Sequence, residues 1–171
     1  MKNLLIVVDM QNDFVSGVLG SREAQQILPE VNRKISEAET VVYTLDTHTE
    51  DYLSTQEGKN LPVVHCVKGT WGHALADGLL VKEGSKQVEK PTFGSVELGE
   101  CVKELYISGQ IGGVELVGVC TDICVISNAL LIKACCPELP VSVVSHCCAG
   151  VTPESHKNAL IAMAACQVKV L

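Results

Sequence analysis

Three residues suited to hydrolysis by a sulfur nucleophile each follow an apolar run in this 171-residue chain. Asp9 follows Leu4–Val8, Lys90 follows the weaker run Ser85–Glu89, and Cys124 lies just beyond Val114–Val119. The last of these runs passes through a tight polar turn into the helix-patterned segment Ile123–Ala134. That layout puts Cys124 at or near a helix N-terminus, where unpaired amides and the helix dipole favour negative charge. A thiol there is expected to ionise more readily than a free one. The same amides would hold the oxyanion formed when a thiolate attacks a carbonyl or nitrile carbon. A cysteine nucleophile also needs a base for its proton, a role open to Asp9, and a cation favouring the thiolate, a role open to Lys90. Taken singly, Asp9 reads as a turn residue, Lys90 as a solvated lysine and Cys124 as a small apolar residue. Taken together at strand ends, they read as chemistry.

A second cluster comprises Asp46 and His48, with His65 further on in Leu61–Thr70. Asp and His two apart on an extended segment point to one side and can reach one ion. A later His can complete a site for zinc or a similar divalent metal. The plainer alternative is that these histidines hydrogen-bond within the fold. His73, His146 and His156 fit no motif and read as surface or core residues.

Length and composition bound what can position these groups. A chain of this size suits one domain, here 1–171, with a sizeable core. It is 47% hydrophobic but only 4% aromatic, so its interior is built mainly from Val, Ile, Leu and Ala. That composition favours a parallel sheet buried on both faces. The formal net charge of -7, with no basic cluster, argues against nucleic acid or an anionic membrane as partner. The first apolar run, interrupted by Asp9, is too short for a signal segment or a membrane span, and a cytoplasmic location is expected. The nine cysteines are then expected to be mostly reduced. None forms a Cys-x-x-Cys pair, and Cys120 and Cys124 are four apart. A cysteine-rich redox or metal sensor is the reading from a different class, and titration of native thiols separates the two. Sensing needs several coupled thiols, whereas catalysis needs one fast thiol.

Strands are expected at Leu4–Val8, Thr40–Leu45, Ser85–Glu89, Val114–Val119, Val141–Ser145 and Val168–Leu171. Helices are expected at Arg22–Ala38, with Pro29 shortening or bending it, at Ser95–Ile107, from Ile123, and at Pro153–Cys166 behind a Thr152 cap. The long polar connection Thr47–Asn60 is a candidate functional loop. Alternating strands and helices predict an α/β fold, a doubly wound, mostly parallel sheet with helices on both faces. Ligands in such folds sit beyond the carboxyl ends of the strands, where Asp9, Asp46, Lys90 and Cys124 all fall.

The segments Val7–Phe14, Lys90–Ser95 and Gly118–Val125 resemble the three signature segments of the isochorismatase-like cysteine hydrolases, and Pro153–Leu160 is similar to that family's final helix. The resemblance implies a Rossmann-like three-layer fold and an Asp9–Lys90–Cys124 triad. It also implies a non-proline cis peptide at Val119–Cys120, oxyanion donors at the Cys120 and Cys124 amides, and substrate-pocket residues Phe14 and Val119. Members without the catalytic cysteine cleave a vinyl ether, so Cys124 places the chain among the amidases, of which nicotinamidase is the best-known. The implied reaction is amide hydrolysis through a thioester on Cys124, with nicotinamide as the first candidate and carbamoyl or ureido compounds as the alternative. A divalent metal, with zinc as first choice, is implied on Asp46, His48 and His65. The family's intermediate His has no counterpart here, and Glu57 or Asp51 is left to replace it. Leu61 stands where nicotinamidases usually carry an aromatic residue, and Trp71 is a candidate for the pocket rim. A small-molecule amide as the partner and a homo-oligomeric assembly complete the expectation.

Overall fold

In the computed structural model, which describes residues 2–171, six strands form one parallel sheet. They are β1 (Lys2–Val8), β2 (Thr40–Asp46), β3 (Lys86–Lys90), β4 (Ile111–Val119), β5 (Val141–Ala149) and β6 (Lys169–Val170), in the spatial order β3-β2-β1-β4-β5-β6. The helices are α1 (Asn12–Val15), α2 (Arg22–Glu37), α3 (Gln56–Asn60), α4 (Val96–Ile107), α5 (Ile126–Cys135) and α6 (Pro153–Ala165).

The period-two alternation of strand side chains explains the layers. Leu4, Ile6 and Val8 face one side and pack with Leu98 and Val102 of α4, Ala129 and Ile132 of α5, and Met163 of α6. Leu5 and Val7 face the other and pack with Ala24, Ile27, Val31 and Ile35 of α2. A strand covered on both faces reads as an unbroken apolar run, as Leu4–Val8 does. The expected α/β architecture, with helices on both faces, is therefore the one observed.

Register carries the functional edge. Val8 lies opposite Thr44 and Gly118, and Asp46 lies opposite Lys90, so β1 to β4 end nearly level. The sheet order reverses between β1 and β4, which opens a crevice at their carboxyl ends. Gly118 makes the close approach of these strands possible. Its φ is +116°, and a Cβ there would lie 2.1 Å from the Val8 carbonyl oxygen.

Three elements differ from expectation. Helix α2 runs unbroken through Pro29, because Pro29 and Gln25 are both exposed and water can satisfy the carbonyl the proline leaves unpaired. Strand β5 continues to Ala149, its register jumping from Leu116–Val143 to Gly118–Cys148 so that a bulge absorbs the intervening residues. The connection from β2 to β3, expected as a polar loop over Thr47–Asn60, carries a short 3-10 turn, Tyr52–Ser54, and α3, and it supplies His48, Glu57 and His65 of the second polar cluster.

Candidate active site

Asp9, Lys90 and Cys124 converge at the β1–β4 edge, and all three are buried. Lys90 Nζ lies 2.6 Å from Asp9 Oδ2, 3.5 Å from Cys124 Sγ and 3.4 Å from Asp46 Oδ1, and it donates to the Thr92 carbonyl at 3.1 Å. Asp9 adopts a left-handed φ of +48° at the end of β1. Its Oδ1 accepts the Thr44 hydroxyl at 2.6 Å, which fixes the carboxylate plane. Oδ2 is ion-paired with Lys90, yet its geometry leaves it without a hydrogen bond. A buried carboxylate oxygen with a lone pair to spare beside a thiol is set up to receive a proton.

The thiol does not ionise as readily as the sequence predicts. Burial and then the Asp9 charge push the Cys124 thiol well above its ordinary range, and Lys90 only partly offsets them. Burial likewise lifts the Asp9 carboxyl, against the pull of Lys90. Lys90 is burdened by burial, but the neighbouring Asp9 and Asp46 carboxylates more than reverse this and hold its ammonium charged. The resting sulfur thus keeps its proton beside a charged ammonium. Helix placement also differs, since Cys124 sits within a π-helical turn, Thr121–Val125, that precedes α5. The Val119–Cys120 peptide is cis. The Cys120 carbonyl accepts both the Ile123 and Val125 amides, while the Cys120 amide has no hydrogen-bond partner among the described residues. Burial, with Asp122 and Asp9, pushes the Cys120 thiol up to about 12, so it stays protonated.

Asp46, His48, Glu57 and His65 bring one ligand atom each to within 4.8 Å of one another. His48 Nε2 lies 2.9 Å and His65 Nε2 3.4 Å from Asp46 Oδ2. The same nitrogens lie 3.6 and 3.8 Å from Glu57 Oε1. Tetrahedral ligands with bonds of roughly 2.1 Å are about 3.4 Å apart, a spacing that these four distances, 2.9 to 3.8 Å, bracket. His65 Nδ1 donates to the Val63 carbonyl at 2.7 Å, which leaves Nε2 with the lone pair. Burial disfavours the charged ring, but Asp46 outweighs it and raises the pKa of His65. Asp51 is exposed and hydrogen-bonds Thr49, so Glu57 and not Asp51 is the second carboxylate of the cluster.

A cavity of about 350 Å³ joins the two clusters. Cys124, Cys120, Val119 and Phe14 line it, as do Asp46, Glu57 and His65, whereas His48 and Trp71 do not. Phe14 meets His65 edge-on, with ring centroids 5.5 Å apart. The volume sits at the small end of ligand pockets, which run from roughly 300 to 1,000 Å³.

Several supporting residues escape a reading of the sequence. Buried Gln11 donates to the carbonyls of Asp46 and His73 and accepts the Asp46 amide, locking the first metal-cluster residue to β1. Buried Asn128 donates to the Cys124 and Phe93 carbonyls and accepts the Ser95 amide. Its place one turn after Cys124 was the available signal. His156 accepts or donates at the Thr121 hydroxyl, 2.7 Å away, and His73 pairs with Thr47, both within the fold, while His146 is exposed.

The family model of the isochorismatase domain matches residues 3–171. The chain belongs to the isochorismatase family. It is similar to a nicotinamidase of Schizosaccharomyces pombe, at 28% identity over 91% of this chain and 86% of that protein. It is 32% identical to an isochorismatase family protein of Bacillus subtilis, over 76% of this chain and 78% of the relative. Among solved structures, the pyrazinamidase of Pyrococcus horikoshii in complex with zinc superposes with a TM-score of 0.83 at 28% identity, covering 100% of this chain and 99% of that one.

Proposed function

We propose that this chain is a cysteine amidohydrolase that converts a small carboxamide to its acid and ammonia, with nicotinamide as substrate and nicotinate as product. The supporting observation is the contact of one ammonium with both the Cys124 sulfur and the Asp9 carboxylate, with Cys124 lining a cavity of small-ligand size. The nicotinamidase and pyrazinamidase names of the relatives agree with it.

In this reading Cys124 gives its proton to Asp9 as the sulfur attacks the amide carbon, because a neutral thiol becomes a strong nucleophile only as it loses its proton. The amides of Cys120 and Cys124 hold the resulting oxyanion. Asp9 then passes the proton to the leaving nitrogen, ammonia departs and a thioester remains. Asp9, again a carboxylate, takes a proton from water as it attacks the thioester. The acid and a free thiol are released, with one water consumed. Lys90 stays protonated throughout and keeps Asp9 anionic enough to act between turns. Asp46, His48, Glu57 and His65 would hold a divalent metal, zinc in our reading, which supplies a Lewis-acid anchor for a ring nitrogen of the substrate.

Ammonia release from nicotinamide tests the substrate. Cys124→Ala tests the route, since a variant that keeps full turnover rules out the thioester.

A further inference from the structure

We infer that Asp13 is a positioning residue for the metal cluster, acting on His48 and His65 through the backbone of Cys66, an inference that rests on the divalent-metal reading. Asp13 takes no part in the proposed reaction, yet it is buried in α1, four residues after Asp9. Its Oδ2 accepts the Cys66 amide at 2.8 Å. Cys66 directly follows His65 and is fully buried. The Cys66 carbonyl accepts the His48 amide at 3.0 Å, and the His48 carbonyl accepts the Lys68 amide at 2.9 Å, so His48 pairs with Val67 in a parallel bridge. Cys66 therefore carries His65 through the chain and holds His48 through a backbone hydrogen bond. A shift of Cys66 moves both histidines.

Cys66 does not keep this place by its own preference. Its φ is +45°, in the left-handed region that a residue with a Cβ rarely adopts. Such a conformation persists only where its surroundings over-determine it. The thiol adds little, because a sulfur hydrogen is a weak donor and its contact with the Gly72 carbonyl is 3.9 Å long. The carboxylate of Asp13 supplies the directional contact, a charge-assisted bond from a backbone N–H. Gly72 makes room for it, since a Cβ there would run into both carboxylate oxygens of Asp13. The Gly72 carbonyl also accepts the Asp13 amide at 3.1 Å, so the loop from Cys66 to Gly72 is closed on Asp13 at both ends. Without the carboxylate, the Cys66 amide is left buried and unpaired, which favours relaxation of the turn. Metal ligation tolerates only about 0.2 Å in each ligand distance, so even a small relaxation is felt at the ion. Asn12, the preceding residue, ties α1 to the same region differently. It donates to the Trp71 carbonyl and accepts the Asp77 amide, both at 2.9 Å, and its side chain makes no hydrogen bond to Cys66 or His48 among the described residues.

Zinc affinity, read by competition with a chromophoric chelator, separates positioning from plain support of the fold. Asp13→Ala should weaken zinc binding by at least about tenfold, the lower end for indirect supports of metal ligands. Asp13→Asn keeps an oxygen acceptor for the Cys66 amide and should bind zinc nearly as the wild type does. Gly72→Ala leaves the acid in place but drives it off the Cys66 amide, and should weaken zinc binding comparably. Asp13→Ala combined with Gly72→Ala should lose no more than Asp13→Ala alone, because the group that clashes is gone. Asn12→Ala should lower the urea midpoint and leave zinc affinity unchanged. Unchanged affinity in Asp13→Ala, or an equal loss in Asn12→Ala, overturns the role of Asp13 while the metal site stands. If Asp13→Ala does not fold, Gly72→Ala decides, and wild-type affinity in that variant overturns the inference. Wild-type protein that binds no zinc overturns the metal reading and this inference with it.

Discussion

Replacing Asp9 by Asn should make Cys124 more reactive toward an alkylating agent while nearly abolishing amide hydrolysis. In the resting site Lys90 spends its charge on Asp9, 2.6 Å away, and the Asp9 charge disfavours a neighbouring thiolate. With a neutral amide at position 9 the repulsion between the Asp9 carboxylate and a thiolate is gone, while the ammonium 3.5 Å from Cys124 Sγ stays. Asp9 Oδ2 is 2.6 Å from the Lys90 Nζ that lies 3.5 Å from the sulfur, so the two are within about 6 Å, and at an effective dielectric of about 20 the lost repulsion is at least about 2.7 kcal/mol, or roughly a hundredfold in thiolate population. Burial of the sulfur is the same in both proteins and cancels. A thiolate stabilised in this way is a weaker nucleophile, with rates following roughly the half power of basicity, so a net gain of about tenfold in alkylation is expected. Hydrolysis should move the other way, by at least about a hundredfold, because no base remains to carry the proton to the leaving nitrogen. Iodoacetamide labelling of the Cys124 peptide at neutral pH, followed by mass spectrometry, reads the first quantity, and ammonia release reads the second. If alkylation slows in parallel with hydrolysis, Asp9 promotes the thiolate in the resting enzyme and the assignment of the resting proton to sulfur is wrong.

Other outcomes follow from the same geometry. For wild-type enzyme, kcat/KM should fall on the acid side as Asp9 takes up a proton, and burial should place that limb above the ordinary carboxylate value of 3.8. A pH–rate profile with its acid limb at or below that value contradicts the burial argument. Glu57→Gln should weaken zinc affinity by at least about tenfold in a chromophoric chelator competition while the far-ultraviolet spectrum stays unchanged. Unaltered affinity would remove Glu57 from the metal cluster. Gly118→Ala should destabilise by at least about 2 kcal/mol in urea unfolding, because a Cβ there meets the Val8 carbonyl oxygen at 2.1 Å. Asn128→Asp sets a carboxylate against two carbonyls in a buried site and should cost about 2–4 kcal/mol at neutral pH. Its folded-state pKa is raised, so the charge-dependent part of the loss should be absent below the unfolded value near roughly 3.9 and complete once the pH exceeds the folded value, leaving at low pH only the hydrogen bond that a single O–H cannot make to the second carbonyl. A pH-independent loss would point to shape rather than charge.

The strands and most helices were legible because their signals are local. An apolar run with β-branched residues, a Thr152–Pro153 cap or the stripe Ile27, Leu28, Val31 and Ile35 is set by neighbours along the chain. The positions of Asp9, Asp46 and Lys90 at strand ends were legible for the same reason, because strand ends in a parallel sheet share one edge. The π-helical turn was not legible, since it depends on how the end of β4 meets Ala149 and the helix beyond. Nor was continuity through Pro29, which depends on that face being solvated.

The residue types alone narrowed the chemistry to attack by a sulfur nucleophile, because a thiol, a carboxylate and an ammonium define a small set of chemistries wherever they meet, and the resemblance of three segments narrowed it further to amide hydrolysis. Tertiary structure decided that the sulfur keeps its proton. A helix-end argument favours an anionic sulfur, but burial and a neighbouring carboxylate oppose it, and that carboxylate, Asp9, lies 115 positions away along the chain. It also decided that Glu57 rather than Asp51 joins the histidines, and that Phe93 faces the same cavity as Phe14. Charge and exposure depend on distance in space, and only the folded sheet sets those distances.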